Sequence, residues 1–90
     1  MAYRYEATER FWHSFYALSD SQKESVRRVW KIFNLDPFDP SLGSHKIQRL
    51  SAHYGKTIYS MVVEDDLRVL YFIEADVVKT LMVGTHDLYS

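Results

Sequence analysis

The chain has 90 residues, 47% apolar and 16% aromatic, with a net charge of −1 and no cysteine. That length suits a single domain over residues 1–90 whose apolar content fills a real core, and it argues against disorder. The missing cysteine excludes a disulfide scaffold, a thiolate metal site and a cysteine nucleophile, and no apolar run approaches the roughly 18 residues of a membrane span.

Tyr3 to Ala7 alternates and is aromatic-rich, as a short first strand would be. Thr8 is a plausible N-cap for a helix over 9–18, with Phe11, Phe15 and Leu18 on one stripe and Trp12 and Tyr16 beside it. Ser21-x-x-Glu24 reads as a capping box opening a second helix. Val26, Val29, Trp30 and Phe33 follow at i, i+3, i+4 and i+7, one apolar face. The outer face carries Lys23, Arg27 and Lys31. Asn34 can end this helix, and Asp36-Pro37-Phe38-Asp39-Pro40 cannot continue it, because each proline disfavours α at the residue before it.

Ser41 to Ser44 is turn chemistry, His45 to Leu50 a weak strand suited to a sheet edge, and Ser51 to Lys56 another connection. Thr57–Val63, Leu67–Glu74 and Val77–Val83 are β-branched or aromatic runs separated by gaps of two or three residues, which allow only hairpins. An antiparallel meander follows. Leu67, Val69, Tyr71 and Ile73 share one of its faces, and Arg68, Leu70, Phe72 and Glu74 the other. With helices on one face, the second is either shallow or a binding groove. The fold class is α+β: a helical hairpin on a twisted antiparallel sheet.

The charge is unevenly spread. Residues 21–56 carry a net of +4 and residues 57–90 a net of −4, so a basic face is possible on a near-neutral chain. Glycine-rich phosphate loops, nucleophile elbows and HExxH are absent, so no cofactor is expected. Three features carry candidate chemistry. His86, in Gly84-Thr85-His86-Asp87, is either a surface group or an acid–base group near neutral pH. Arg68 sits in an apolar strand and needs an anion: Glu64, Asp65 or Asp66, a phosphate, or solvent on an open sheet face. Lys46 and Arg49, with His45, His53 and Lys56, add positive charge around the edge strand. The histidines lack metal-ligand spacing, so no metal site is expected, and Glu64-Asp65-Asp66 reads first as a solvated turn.

Taken together, the basic Trp-containing second helix, the Asp36-Pro37…Pro40-Ser41-Leu42 loop, His45-Lys46-Ile47, Asp66-Leu67-Arg68-Val69-Leu70-Tyr71 and Val83-Gly84-Thr85-His86-Asp87-Leu88-Tyr89 resemble the RelE/ParE/YafQ-type toxins of type II toxin–antitoxin systems. The resemblance implies a toxin held by a small cognate antitoxin in a hetero-oligomer. Many members cut mRNA on the ribosome without a metal; others, ParE-like, bind a protein target such as DNA gyrase or have lost activity. Position by position, Arg68 matches an arginine that contacts the scissile phosphate, and His86 a general acid or phosphate contact. Tyr89 matches a substrate-orienting aromatic, and His45 and Asp66 acid–base groups of the YafQ branch. Two departures stand out. Thr57 to Val62 has no Lys or Arg where RelE proper is lysine-rich, and Val62 occupies the place of a second histidine. A cytoplasmic location fits this reading.

Overall fold

A computed structural model describes residues 3–85. The elements run β1 (Arg4–Ala7), α1 (Glu9–Tyr16), α2 (Asp20–Leu35), a 3-10 turn (Pro40–Leu42), β2 (His45–Lys46), α3 (Gln48–Tyr54), β3 (Tyr59–Glu64), β4 (Leu67–Glu74) and β5 (Val77–Thr85). The five strands form one sheet in the order β1-β5-β4-β3-β2.

The helical hairpin forms as its sequence demands, and both caps are local. The Thr8 hydroxyl accepts from the Phe11 N–H and donates to the Thr80 carbonyl at 2.8 Å, so one side chain starts α1 and ties it to β5. The α2 capping box is Ser19 with Gln22, not Ser21 with Glu24: the Gln22 N–H donates to Ser19 Oγ and the Ser19 N–H to Gln22 Oε1. Serines stand at both 19 and 21, and the earlier register adds half a turn of helix. At the other end, Tyr5 donates to the Phe33 carbonyl at 2.7 Å, satisfying a group the last turn leaves open.

Phe11 and Phe15 from α1 and Val26 and Phe33 from α2 bury against Met61, Val63, Val69, Tyr71, Val78 and Val83 of the sheet. The meander is as expected, with β3–β4 and β4–β5 antiparallel. Two features differ from the sequence reading. β1 pairs parallel with β5, so the sheet is mixed. The chain starts on one edge, crosses by way of the helices to β2 on the far edge, and meanders back; this pairing is non-local and leaves no hairpin signal. The second difference is α3, which replaces most of the expected edge strand and the connection after it. Leu50 and Tyr54, at i and i+4, pack beside buried Ile58, Leu70 and Met82. Gly55 takes the left-handed conformation (φ 69°) that ends the helix. Ser51 works inside the helix, donating to the Ile47 carbonyl and accepting from the Ile58 N–H, both at 2.9 Å.

The loop between α2 and β2 is pinned rather than free. Asp36 accepts from the Phe38 N–H, and Asp39 accepts from both the N–H and the hydroxyl of Ser41, which holds the Asp39 carboxyl below its ordinary pKa. Two hydroxyls, Tyr71 at 2.9 Å and Ser44 at 2.8 Å, donate to the Pro37 carbonyl.

Two outcomes test this arrangement. Burial pushes the Tyr71 phenol up from 10.0 to about 12, with the Ser44 hydroxyl pulling the other way. A raised folded-state pKa is stability present below pH 10 and lost as pH climbs towards 12. Tyr71→Phe should therefore cost about 1 kcal/mol at neutral pH, since Ser44 still serves Pro37, and should flatten the alkaline loss in denaturant titrations. In the β4–β5 turn, Ala75 and Asp76 both have positive φ, 49° and 67°, as a type I′ hairpin requires. Ala75→Gly should raise the urea midpoint by relieving roughly 1 kcal/mol of left-handed strain.

Candidate functional site

The sheet face opposite the helical hairpin is divided along its length. At one end α3 covers Ile58, Leu70 and Met82, with Phe72 and Leu81 packed beside them. At the other lies a row of paired residues, Val62–Arg68–Gly84, across β3, β4 and β5. Arg68 is on the central strand with an apolar neighbour on one side and no side chain on the other. It is half-buried and folds back on its own turn, its Nη1 donating to the carbonyls of Asp65 and Leu67. Where the sequence called for an anion, Nη1 takes two neutral backbone carbonyls, one in the acidic turn and one at the start of β4. Its guanidinium keeps further donors for another acceptor.

His45 pairs with Ser60 and therefore shares the Arg68 face. It stands two strands and two residues from Arg68, about 12 Å between Cα atoms by ordinary sheet spacings. Its Nδ1 lies 3.1 Å from the Gly43 carbonyl, which orients the ring. Lys46 pairs with Tyr59 and falls on the opposite face. Arg49 is exposed on α3, as is His53 in its last turn. Lys56 belongs to the far end: it lies 4.4 Å above the Phe72 ring and 3.2 Å from Glu74, which Lys79 also meets at 3.3 Å. Those two ammonium groups hold the Glu74 carboxyl below its ordinary range.

Asp66 is exposed in the β3–β4 turn. With Gln22, Glu64, Asp65, Leu67 and Thr85 it lines a cavity of about 270 Å³. Ser60 to Glu64 spans four residues of strand, so His45 and the acidic turn are separated by roughly 13 Å along β3. His45 and Arg68 thus share a face, while Lys46 and Asp66 sit elsewhere. Among the described residues, no three His, Asp or Glu converge as a metal site. His86 and Tyr89 lie outside the described residues.

One residue on this face escaped the sequence reading. Ser60 is fully buried between His45 and Leu70, and its hydroxyl has no hydrogen-bond partner among the described residues. The signal was present: Ser60 is a polar residue pointing inward from an apolar strand. A buried unpaired hydroxyl costs roughly 1–3 kcal/mol.

A two-helix hairpin on one face of a sheet, with a short third helix and an arginine on the other, defines a fold class: this chain has the RelE/YafQ-type toxin fold. The sequence matches no protein-family model and no curated protein. Among solved structures, YafQ from E. coli strain BL21(DE3) is similar with a TM-score of 0.73 at 14% identity, covering 96% of each chain. A chain of the toxin–antitoxin complex RelBE2 from Mycobacterium tuberculosis gives 0.72 at 16%, covering 96% of this chain and all of that one. A chain of the archaeal RelE–RelB complex from Pyrococcus horikoshii OT3 gives 0.70 at 18%, covering 94% and 96%. At these identities the likeness is one of fold.

Ser60→Ala removes the orphan hydroxyl and nothing else. The expected outcome in urea unfolding is unchanged or increased stability, by up to about 1 kcal/mol. A clear loss would mean that the hydroxyl has a partner after all.

Proposed function

We propose that this chain is the toxin of a toxin–antitoxin pair, acting in the cytoplasm as a metal-independent endoribonuclease that cuts mRNA, with the ribosome helping to present the substrate. The observation that carries the reading is Arg68: a half-buried guanidinium on the central strand, beside Gly84 and on the same face as His45. His86 follows Gly84 by two residues in the sequence.

The chemistry needs three groups. A base, His45 or Asp66, takes the proton of a ribose 2′-hydroxyl, whose oxygen attacks the adjacent phosphorus. The P–O5′ bond breaks, leaving a 2′,3′-cyclic phosphate, and His86 as acid gives its proton to the departing 5′-oxygen. Arg68 offsets the charge that builds on the phosphorane oxygens. Tyr89 by stacking and Arg49 by charge would hold the RNA; Lys46, on the opposite face, falls outside this arrangement. A small antitoxin, forming a hetero-oligomer with the chain, would hold this activity in check.

A second reading is favoured by how Arg68 is occupied. Its guanidinium already serves its own turn, and Val62 rather than a cation or histidine stands opposite. A ParE-like toxin that binds a protein such as DNA gyrase, or an inactive binding member of the fold, needs no phosphate contact there.

Expressed alone from an inducible promoter, the chain should arrest growth and produce new 5′ ends in mRNA by primer extension. Arg68→Ala should lower cleavage by roughly 10²–10³-fold and His86→Ala by roughly 10²–10⁴-fold, with circular dichroism unchanged. Growth arrest with intact mRNA and inhibited supercoiling would favour the protein-binding toxin. Full cleavage in both variants would end the assignment of Arg68 and His86 as its catalytic groups, and full toxicity in both without new 5′ ends would end the ribonuclease reading.

A further inference from the structure

His45 and Arg68 are joined by more than a shared face. The 3-10 turn ends at Gly43, whose left-handed backbone (φ 59°, ψ 32°) returns its N–H to the Pro40 carbonyl at 3.3 Å. A side chain at 43 would be strained by that φ, and its Cβ would lie 3.3 Å from a methyl of Val62. Val62 is itself the cross-strand partner of Arg68. The turn is thus seated on the strand residue that stands beside the arginine.

Seating the turn fixes where the Gly43 carbonyl points. Its oxygen lies 3.1 Å from His45 Nδ1. A carbonyl can only accept, so Nδ1 must carry the proton. In a neutral imidazole that leaves the lone pair on Nε2, across the ring. Neutral histidine in water favours the opposite tautomer, Nε2–H, so the turn selects the form that the free side chain adopts less. A second polar group beside the ring would select the other way. Ser60 is the cross-strand neighbour of His45, and its buried hydroxyl has no partner among the described residues. A ring turned to accept from that hydroxyl through Nδ1 would carry its proton on Nε2.

We propose that Gly43 is a positioning residue: its carbonyl holds His45 as the Nδ1–H tautomer, and His45, rather than Asp66, is the base of the cleavage reaction. The inference rests on the ribonuclease reading and deepens it. A base must reach the ribose whose phosphate meets Arg68; His45 shares the sheet face of Arg68, whereas Asp66 stands in the β3–β4 turn. Nε2 takes the 2′-hydroxyl proton as O2′ bonds to phosphorus, and the P–O5′ bond breaks with His86 giving its proton to the departing oxygen. The ring becomes an imidazolium whose Nδ1–H still faces the Gly43 carbonyl, which stabilises the new charge.

The tautomer can be read without RNA. At about pH 9 an ordinary imidazole is neutral, and long-range nitrogen–proton correlation spectra separate a protonated ring nitrogen from a bare one. Among the four histidines, the signals of His45 are those lost in His45→Gln. His45 should show Nδ1 protonated and Nε2 bare. Gly43→Ala should move the ring towards the Nε2–H form and lower the mRNA cleavage rate at saturating substrate by roughly 10²-fold, with little change in half-saturation. Val62→Ala, which keeps Gly43 and removes the methyl beneath it, should do the same to a smaller extent. Unchanged nitrogen shifts and rates in both variants would overturn the proposal. So would an Nε2–H ring in the unsubstituted chain; if Ser60→Ala converted it, the hydroxyl would be the partner instead. Cleavage that survives His45→Gln but not Asp66→Asn would overturn it too, since the base would be Asp66. A chain that cuts no RNA ends the ribonuclease reading, and the role of Gly43 with it, whatever the tautomer; an Nε2–H ring in a chain that cuts ends the proposal alone.

Discussion

Tyr71 is where the separate parts of this molecule meet. It lies in the middle of the central strand, fully buried, with its ring edge-on to Phe33 of α2 at 4.9 Å and stacked on Tyr59 of β3 at 5.4 Å. A buried phenol requires a hydrogen-bond acceptor, and Tyr71 donates to the Pro37 carbonyl in the loop leaving α2. That requirement places the loop. Pro37 held against the sheet sets the path through the 3-10 turn to Gly43, whose left-handed backbone brings the chain within contact of Val62, and so sets where β2 begins. His45 takes its position from that chain of contacts.

Strand alternation then partitions the chemistry. In β4, Leu67, Val69 and Tyr71 enter the main core, while Arg68, Leu70 and Phe72 turn to the other face. That second face cannot be solvent-exposed throughout, because it holds Ile58, Leu70 and Met82. The short α3 covers those three and stops before the Arg68 row. The shift in β4–β5 pairing between Leu70 and Tyr71 falls at the boundary and brings both Leu81 and Met82 to the α3 side. The remaining end is half-open: enough protein around Arg68 to strengthen its field, and enough access for an anion to reach it.

Much of this was legible in the residues. The apolar period of α2, the three β-branched runs and their short gaps determine the hairpin of helices and the meander, since each is a local pattern with one cheap solution. α3 was hidden by its punctuation. Ser51 and Gly55 read as turn residues, yet one satisfies groups inside the helix and the other terminates it. The parallel β1–β5 pair was hidden for a different reason: residues some 70 positions apart carry no shared local signal. At the site, Arg68 was visible because a charge in an apolar strand is anomalous. Its occupation by the carbonyls of Asp65 and Leu67 was not, because pairing with a neighbouring carboxylate and folding onto a neighbouring carbonyl look alike in sequence.

The charge asymmetry becomes spatial once folded. The basic segment is split between the outer stripe of α2 on one side of the sheet and His45 and Arg49 on the other. The acidic segment is concentrated in the β3–β4 and β4–β5 turns at opposite ends of the strands, where Glu74 is already neutralised by Lys56 and Lys79. At physiological salt a charge is felt over about 8 Å, so each cation acts chiefly on what lies beside it. Net charge therefore says little about either surface. Each is governed by its own few cations. Coupling between the two faces would have to pass through the shared core, from Phe11 and Phe33 to β4, where Tyr71, three residues from Arg68 on the same strand, packs edge-on to Phe33 of α2.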